Sequence, residues 1–416
     1  MYVPRVSFMR KVFVAGLTLT VLAVTMVQAQ EGRELFVERD RSAARTGDSM
    51  RAEKRVRATP SAEDVRVTSA RAPLLLGSEI VLNLPGATLT ATGSVINRNG
   101  ENYTWVGTIA GERLSSVVLV VRDGTVSGEV HAKAGMFRVT PLDGNDHAVS
   151  RIDESKLPPD DDEPRVQRKQ LKHRLGKRSG RAAEEAPDKV RTLRVLIAYT
   201  ADVERQASKS NMQRNLEEIT ALSNQSFERS HIRIRLEIAE LYKTAYRETG
   251  EAVKDIELNE VLNRRWRHKA DMAVLIVSKL VNEDGETICG RARDVGVTFA
   301  DAFALMRWDQ DCKKSFAHEL AHLLGAQHNW EKDRRVRICG TYGHGLYSIV
   351  GGWRTMMAYA CPPSRSACRR LWVWSNPDLK DDNGAPLGHA TYANEAQCLN
   401  EGISVFCSGP APCARN

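Results

Sequence analysis

The chain has 416 residues, 42% of them apolar, which allows more than one buried core. Lys and Arg number 60 against 52 Asp and Glu, for a formal net charge of +8. The basic residues gather in a leader, the arm behind it and a linker over 165–181, with no aromatic-interleaved patch or nucleic-acid motif. A solvated basic surface is therefore expected, with no nucleic-acid partner.

In chain order, Arg5, Arg10 and Lys11 precede an apolar run from Val12 to Met26, and Val27-Gln28-Ala29 offers small residues before Gln30. This reads as a signal peptide over 1–29; its core of about fifteen residues is short for a membrane span. No other stretch is apolar and long enough to cross a bilayer, so no membrane insertion is expected after the leader is removed. Residues 30–72 are charged and Arg-rich, which predicts poor order. From Ile80 to Val149 the pattern alternates at period two, punctuated by Asn99-Gly100, Asp123-Gly124 and Asp143-Gly144. Val117–Val121 and Val126–Val130 flank the second of these turns and form a hairpin in a small β-rich module. Leu157-Pro158-Pro159-Asp160-Asp161-Asp162 and the basic run Arg165–Arg181 follow as an accessible linker. Residues 30–178 are read as a propeptide, with activation near Arg178.

The remainder alternates strand and helix. Leu193–Tyr199 is an apolar strand, and Met212–His231 has helical spacing through Leu216, Ile219 and Leu222. Ile232–Leu236 is an edge-type strand, Val261–His268 a helix and Ala273–Val277 a buried strand. This order predicts an α/β (α+β) domain over 179–397, a twisted mixed sheet with helices packed on it. Val297–Met306 is expected to be an edge strand of this sheet, open to pairing with an extended chain. All eight cysteines fall at or after Cys289, which behind an export leader argues for disulfides. Their connectivity stays open among about a hundred pairings. Residues 398–416 are read as a short Cys-containing tail.

One segment carries the chemistry: His318-Glu319-Leu320-Ala321-His322-Leu323-Leu324-Gly325-Ala326-Gln327-His328. Residues i and i+4 share a helix face, so His318 and His322 present both imidazoles to one point. Two such nitrogens suit Zn²⁺. Gly325 permits the left-handed turn that ends a helix and lets His328 return as third ligand. Glu319 stands beside the first ligand, where it can take a proton from water in the open fourth position. Three histidines, one water and one base make a catalytic site for a single Zn²⁺. His268, His344 and His389 are read as surface or packing histidines.

His318–His328 resembles the HExxHxxGxxH signature of the metzincin zinc endopeptidases. Thr355-Met356-Met357-Ala358-Tyr359 matches their methionine turn, with Met357 as the apolar floor beneath the histidines and Tyr359 where some branches stabilise the transition state. Leu193–Thr200, Ser315-Phe316-Ala317, Trp374–Pro377 and Ala393–Ala396 are similar to bacterial secreted reprolysin-like enzymes, including the peptidyl-Asp metalloendopeptidases. The likeness covers roughly residues 190–397 and departs at Asn329, where the relatives place Asp.

The resemblance implies a secreted zinc endopeptidase made as a precursor, bacterial, extracellular or periplasmic, acting on proteins or peptides. It cleaves them by a zinc-bound water with Glu319 as general base, and prefers an acidic residue after the scissile bond. Some metzincin propeptides place a cysteine on the zinc; no cysteine precedes Cys289, so latency here would need another group, and Asp160–Glu163 is one candidate. The alternative is a non-catalytic secreted binding or toxin-like protein on the same scaffold, against which the intact Glu319 argues. Natural substrate, structural Ca²⁺ and oligomeric state are not readable here.

Overall fold

A computed structural model describes residues 33–40, 42, 44–160, 189–248, 259–362, 368–407 and 413. The expected leader and the activation region near Arg178 lie outside the described residues.

The first half is an antiparallel meander. Its strands are β1 (Phe36–Glu38), β2 (Ala62–Ala70), β3 (Glu79–Leu84), β4 (Ala87–Asn99), β5 (Asn102–Ile109), β6 (Ser116–Arg122), β7 (Thr125–Ala132), β8 (Gly135–Asp143) and β9 (Asp146–Ile152). They pair in the order β1-β2-β9-β8-β7-β6-β5-β4-β3. A bridge from Glu34 to Val81 joins the two outer strands, with the Leu35 N–H donating to the Val81 carbonyl at 2.8 Å. The sheet thus closes on itself and removes its own edges. Trp105, Phe137, Leu119 and Phe36 fill the interior.

The β6–β7 hairpin forms as expected, with Asp123 and Gly124 at φ 52° and 75°, the two positive values of a type I′ turn. Val117, Leu119 and Val121 face the barrel interior. Val118 points the other way and enters the core of the second half. The expectation of poor order over 30–72 is corrected for the described residues. Helix α1 (Gly47–Arg57) starts on Thr46, whose hydroxyl accepts from the Ser49 N–H, and Leu35 and Phe36 are fully buried. Those few apolar residues are strongly used, which a charge-rich composition hides.

The second half carries a five-stranded sheet in the order β11-β10-β12-β14-β13. Its strands are β10 (Arg191–Tyr199), β11 (Ile234–Lys243), β12 (Met272–Val277), β13 (Gly290–Ala292) and β14 (Phe303–Arg307). All neighbours are parallel except β13, which runs antiparallel to β14. The helices are α2 (Ala201–Gln206), α3 (Lys209–Arg229), α4 (Asn259–Arg267), α5 (Ser315–Leu324) and α6 (Glu395–Cys407).

Two expectations shift. The edge on the α5 side is β13, not Val297–Met306; Phe303–Arg307 lies inside, between β12 and β13, and its apolar run reflects burial on both faces. The boundary expected at residue 398 falls inside α6, whose Leu399, Ile403 and Phe406 join the core that holds Leu320 and Leu324 of α5. Disulfides link Cys289–Cys312, Cys339–Cys398, Cys361–Cys368 and Cys407–Cys413.

The halves meet through a buried charge network. Arg138 of the barrel donates to Glu129 at 3.0 Å and to Asp311 of the second half at 2.7 Å. Lys313 bonds Glu218 of α3 at 2.6 Å and lies 3.7 Å from Glu129. Trp372 donates its indole N–H to His131 at 3.1 Å.

Candidate metal centre and cleft

All ten residues of α5 are buried, as its largely apolar sequence requires. Gly325 ends the helix at φ 116°, and its N–H reaches the Ala321 and His322 carbonyls. A Cβ there would also stand 2.5 Å from Ile338 Cγ2, so only glycine fits. Beyond this turn the chain brings His328 back. The Nε2 atoms of His318 and His328 are 3.1 Å apart, and those of His322 and His328 3.2 Å.

The backbone orients these rings. His322 Nδ1 lies 2.8 Å from the Ala326 carbonyl and His318 Nδ1 3.4 Å from the Met356 carbonyl. With protons on Nδ1, the Nε2 lone pairs converge on one point, which is repulsive unless a cation stands between them. Nitrogens about 2.0–2.1 Å from a tetrahedral Zn²⁺ would sit about 3.3–3.4 Å apart, close to the spacing observed. The donor set therefore fits zinc. Among the described residues this triad is the cluster able to hold a metal, with its ligand atoms within 4.8 Å of one another.

Glu319, next to the first histidine, is 1% exposed and lies against β13. A Cβ on Gly290 would come within 2.5 Å of Glu319 Oε1, so this glycine lets the edge strand run flush with the carboxylate. Met356 and Met357 are fully buried in the core shared with α5. The Tyr359 ring centroid lies 4.1 Å from that of His328. Asn329 accepts from the Tyr359 N–H at 3.1 Å, so its amide ties the methionine turn to the third histidine. His344 is a packing residue as expected; its Nδ1 meets the His328 carbonyl at 2.7 Å, and burial lowers its pKa. His268 pairs with Glu240, and exposed His389 stacks on Tyr392.

The end of the acidic run named as a latency candidate lies beside β13, while Arg370 is not singled out in the sequence. The Cys289 N–H donates to the Pro159 and Asp160 carbonyls, both at 3.0 Å, and the Gly290 N–H donates to Asp160 at 2.6 Å. The Asp160 carboxylate is buried, accepts from Ser315 Oγ at 3.1 Å and pairs with Arg370. Burial alone would raise its pKa; Arg370, then His318 and Lys314, outweigh that and hold it far below the carboxylate range. The signal for this site lay in Arg369-Arg370, a charged pair entering the otherwise apolar run Leu371–Trp374.

The family model Reprolysin_5, described as metallo-peptidase family M12, matches residues 189–369. A peptidyl-Asp metalloendopeptidase of Xanthomonas campestris pv. campestris is 32% identical over 388 residues, covering 86% of this chain and 89% of the relative. One from Stenotrophomonas maltophilia is 32% identical over 300 residues, 68% of each chain. The crystal structure of metalloproteinase-II from Bacteroides fragilis aligns with a TM-score of 0.39 and 12% identity, over 61% of this chain and 81% of that one.

Proposed function

The chain belongs to the peptidyl-Asp metalloendopeptidase family and is a zinc metalloendopeptidase, and from that premise we infer which residues do the work. His318, His322 and His328 hold the zinc, with the Nδ1 atoms of His318 and His322 steadied by backbone carbonyls. Zinc, when bound, supplies a Lewis acid that polarises the scissile carbonyl and makes water more acidic. Glu319 takes a proton from the attacking water and delivers it to the leaving amine. Tyr359 helps stabilise the oxyanion, and Met357 forms the apolar floor. Substrate lies extended along β13, with an acidic side chain after the scissile bond. The protein is made as a precursor, with a leader over 1–29 and a propeptide over 30–178, and acts outside the cytoplasm.

The observation that carries this reading is the convergence of three Nε2 atoms on one point beside a buried carboxylate. The test is casein hydrolysis by zinc-loaded enzyme with and without 1,10-phenanthroline, beside Glu319→Ala. Chelator-sensitive cleavage, lost in a variant that still binds zinc, is the expected outcome. Activity surviving in zinc-loaded Glu319→Ala would sink the assignment. A cleavage profile with apolar or basic residues after the scissile bond would reject the acidic preference alone.

A further inference from the structure

We propose that Arg370, Ser315 and Lys314 form the subsite that receives the acidic side chain of a substrate, and that Asp160 fills it in the uncleaved chain. This rests on the acidic preference inferred above and names the residues that produce it.

Placement is the first argument. Ser315 opens α5 and stands three residues, about one turn, before His318. Gly290 touches Glu319 and donates its N–H to the Asp160 carbonyl. Asp160 is therefore one strand residue away from the carboxylate assigned as the base. The network at Arg138 and Asp311 joins the halves elsewhere, whereas Asp160 meets Arg370 beside this strand.

Charge is the second. Arg370, Arg354 and Lys314 are 4%, 8% and 7% exposed, three cations crowded in one buried place. Burial first, and then Arg370, push the Lys314 ammonium down to about 7, so at neutral pH Arg370 and Arg354 are the standing charges of the place. The carboxylates facing these cations, Asp160 and Glu154, both come from the N-terminal half; Glu154 accepts from the Arg370 N–H at 3.0 Å. Glu395 also faces Arg370, but burial raises its pKa to about 8 and keeps it neutral. When the N-terminal half leaves, Arg370 and Arg354 stay and both anions go, so the place favours an acidic ligand.

Spare donors are the third. Nε and Nη1 of Arg370 and Nε of Arg354 are buried without a hydrogen-bond partner. A guanidinium with free N–H groups can take a carboxylate in two-point geometry, beyond the contact Asp160 makes.

Two experiments test the two halves of the proposal. In the zinc-loaded, uncleaved full-length chain, Asp160→Ala and Asp160→Asn are expected to raise peptide hydrolysis at least about tenfold over wild type, read as initial rates while a gel shows the chain intact. Zinc-loaded variants as silent as wild type, or a wild-type full-length chain already fully active, overturn the plug. In enzyme processed by the secreting cells, Arg370→Gln is expected to lower kcat/KM about hundredfold for a peptide with Asp after the scissile bond relative to its Ala counterpart. Arg370→Lys should restore part of the ratio. If Arg370→Gln does not fold, as judged by melting and zinc content, Ser315→Val decides, with an expected drop of about tenfold in the same ratio. Equal losses on both peptides overturn the subsite and leave the peptidase reading intact. Absence of any acidic preference in the wild-type enzyme rejects the preference itself.

Discussion

The barrel and the second half reach stability by different means. The barrel has no cysteine and holds itself by a closed ladder around Trp105 and Phe137. The second half carries all four disulfides, and they fall where its chain is least periodic. Cys339–Cys398 ties the loop behind His328 to α6, and Cys289–Cys312 ties the entry to β13 to the turn before α5. Donors that must converge from a helix and from the loop beyond its terminal turn cannot all sit on one repeating element. Cross-links supply the order that repetition supplies in the barrel.

The largest expected effect of breaking this contrast is at the dock. Arg138→Met leaves Glu129 and Asp311 buried without their shared cation and should cost about 3–5 kcal/mol in denaturant melts of the full-length chain. Enzyme that has lost the barrel should show no change in activity from this substitution, since the residue departs with it. Replacing Cys339 and Cys398 together by Ala should cost about 2–4 kcal/mol and weaken zinc retention, with the barrel's hydrogen exchange unchanged.

pH should separate the halves next. His147 in β9 accepts from the Val126 N–H at 2.9 Å, and burial lowers its pKa to about 4. The stability it contributes is present above the ordinary histidine value of 6.5 and is lost as pH falls from there toward 4, on the order of 3 kcal/mol. Glu395 in α6 behaves oppositely: burial raises its pKa from 4.5 to about 8, so its contribution is full below 4.5 and fades as pH rises toward 8. Between pH 6.5 and 4.5 the barrel loosens while the second half firms. Exchange rates at β9 and α6 measured at both ends of that window should move in opposite directions, and His147→Gln should flatten the barrel's response. Parallel movement would show that neither group governs its region. The smallest effect is at Asn329→Ala, which removes the tie to Tyr359 and should lower kcat/KM about fivefold, the worth of one hydrogen bond of about 1 kcal/mol.

Much of this was legible in the residues. The His318–His328 spacing announced its geometry because the helix period and the Gly325 turn leave few other places for three imidazoles. In Val117–Val121 every position is apolar, which matches burial on both faces: Val118 packs against the second half while its neighbours fill the barrel. Other features were hidden for reasons of context. The three-residue strand β13 is too short to carry a period. Asp160 reads only as part of an acidic run that could serve latency; its partners stay hidden because the cations lie over 150 residues away in the chain. Residue 398 looked like the start of a tail because a cysteine-containing sequence at the end of a chain conceals the helical spacing of Leu399, Ile403 and Phe406.

The dock between the halves has one more consequence, which concerns how it comes apart. Glu129 and Arg138 sit on the barrel side, 3.0 Å apart; Lys313 and Glu218 sit on the other, 2.6 Å apart. Pulling the surfaces away from each other divides the network into two neutral couples, and Asp311 is the member whose partners, Ser61 and Arg138, both leave. A carboxylate meeting fresh water is readily hydrated. This part of the contact is therefore firm while closed, yet on parting each body keeps one paired couple and the single charge newly facing water is Asp311.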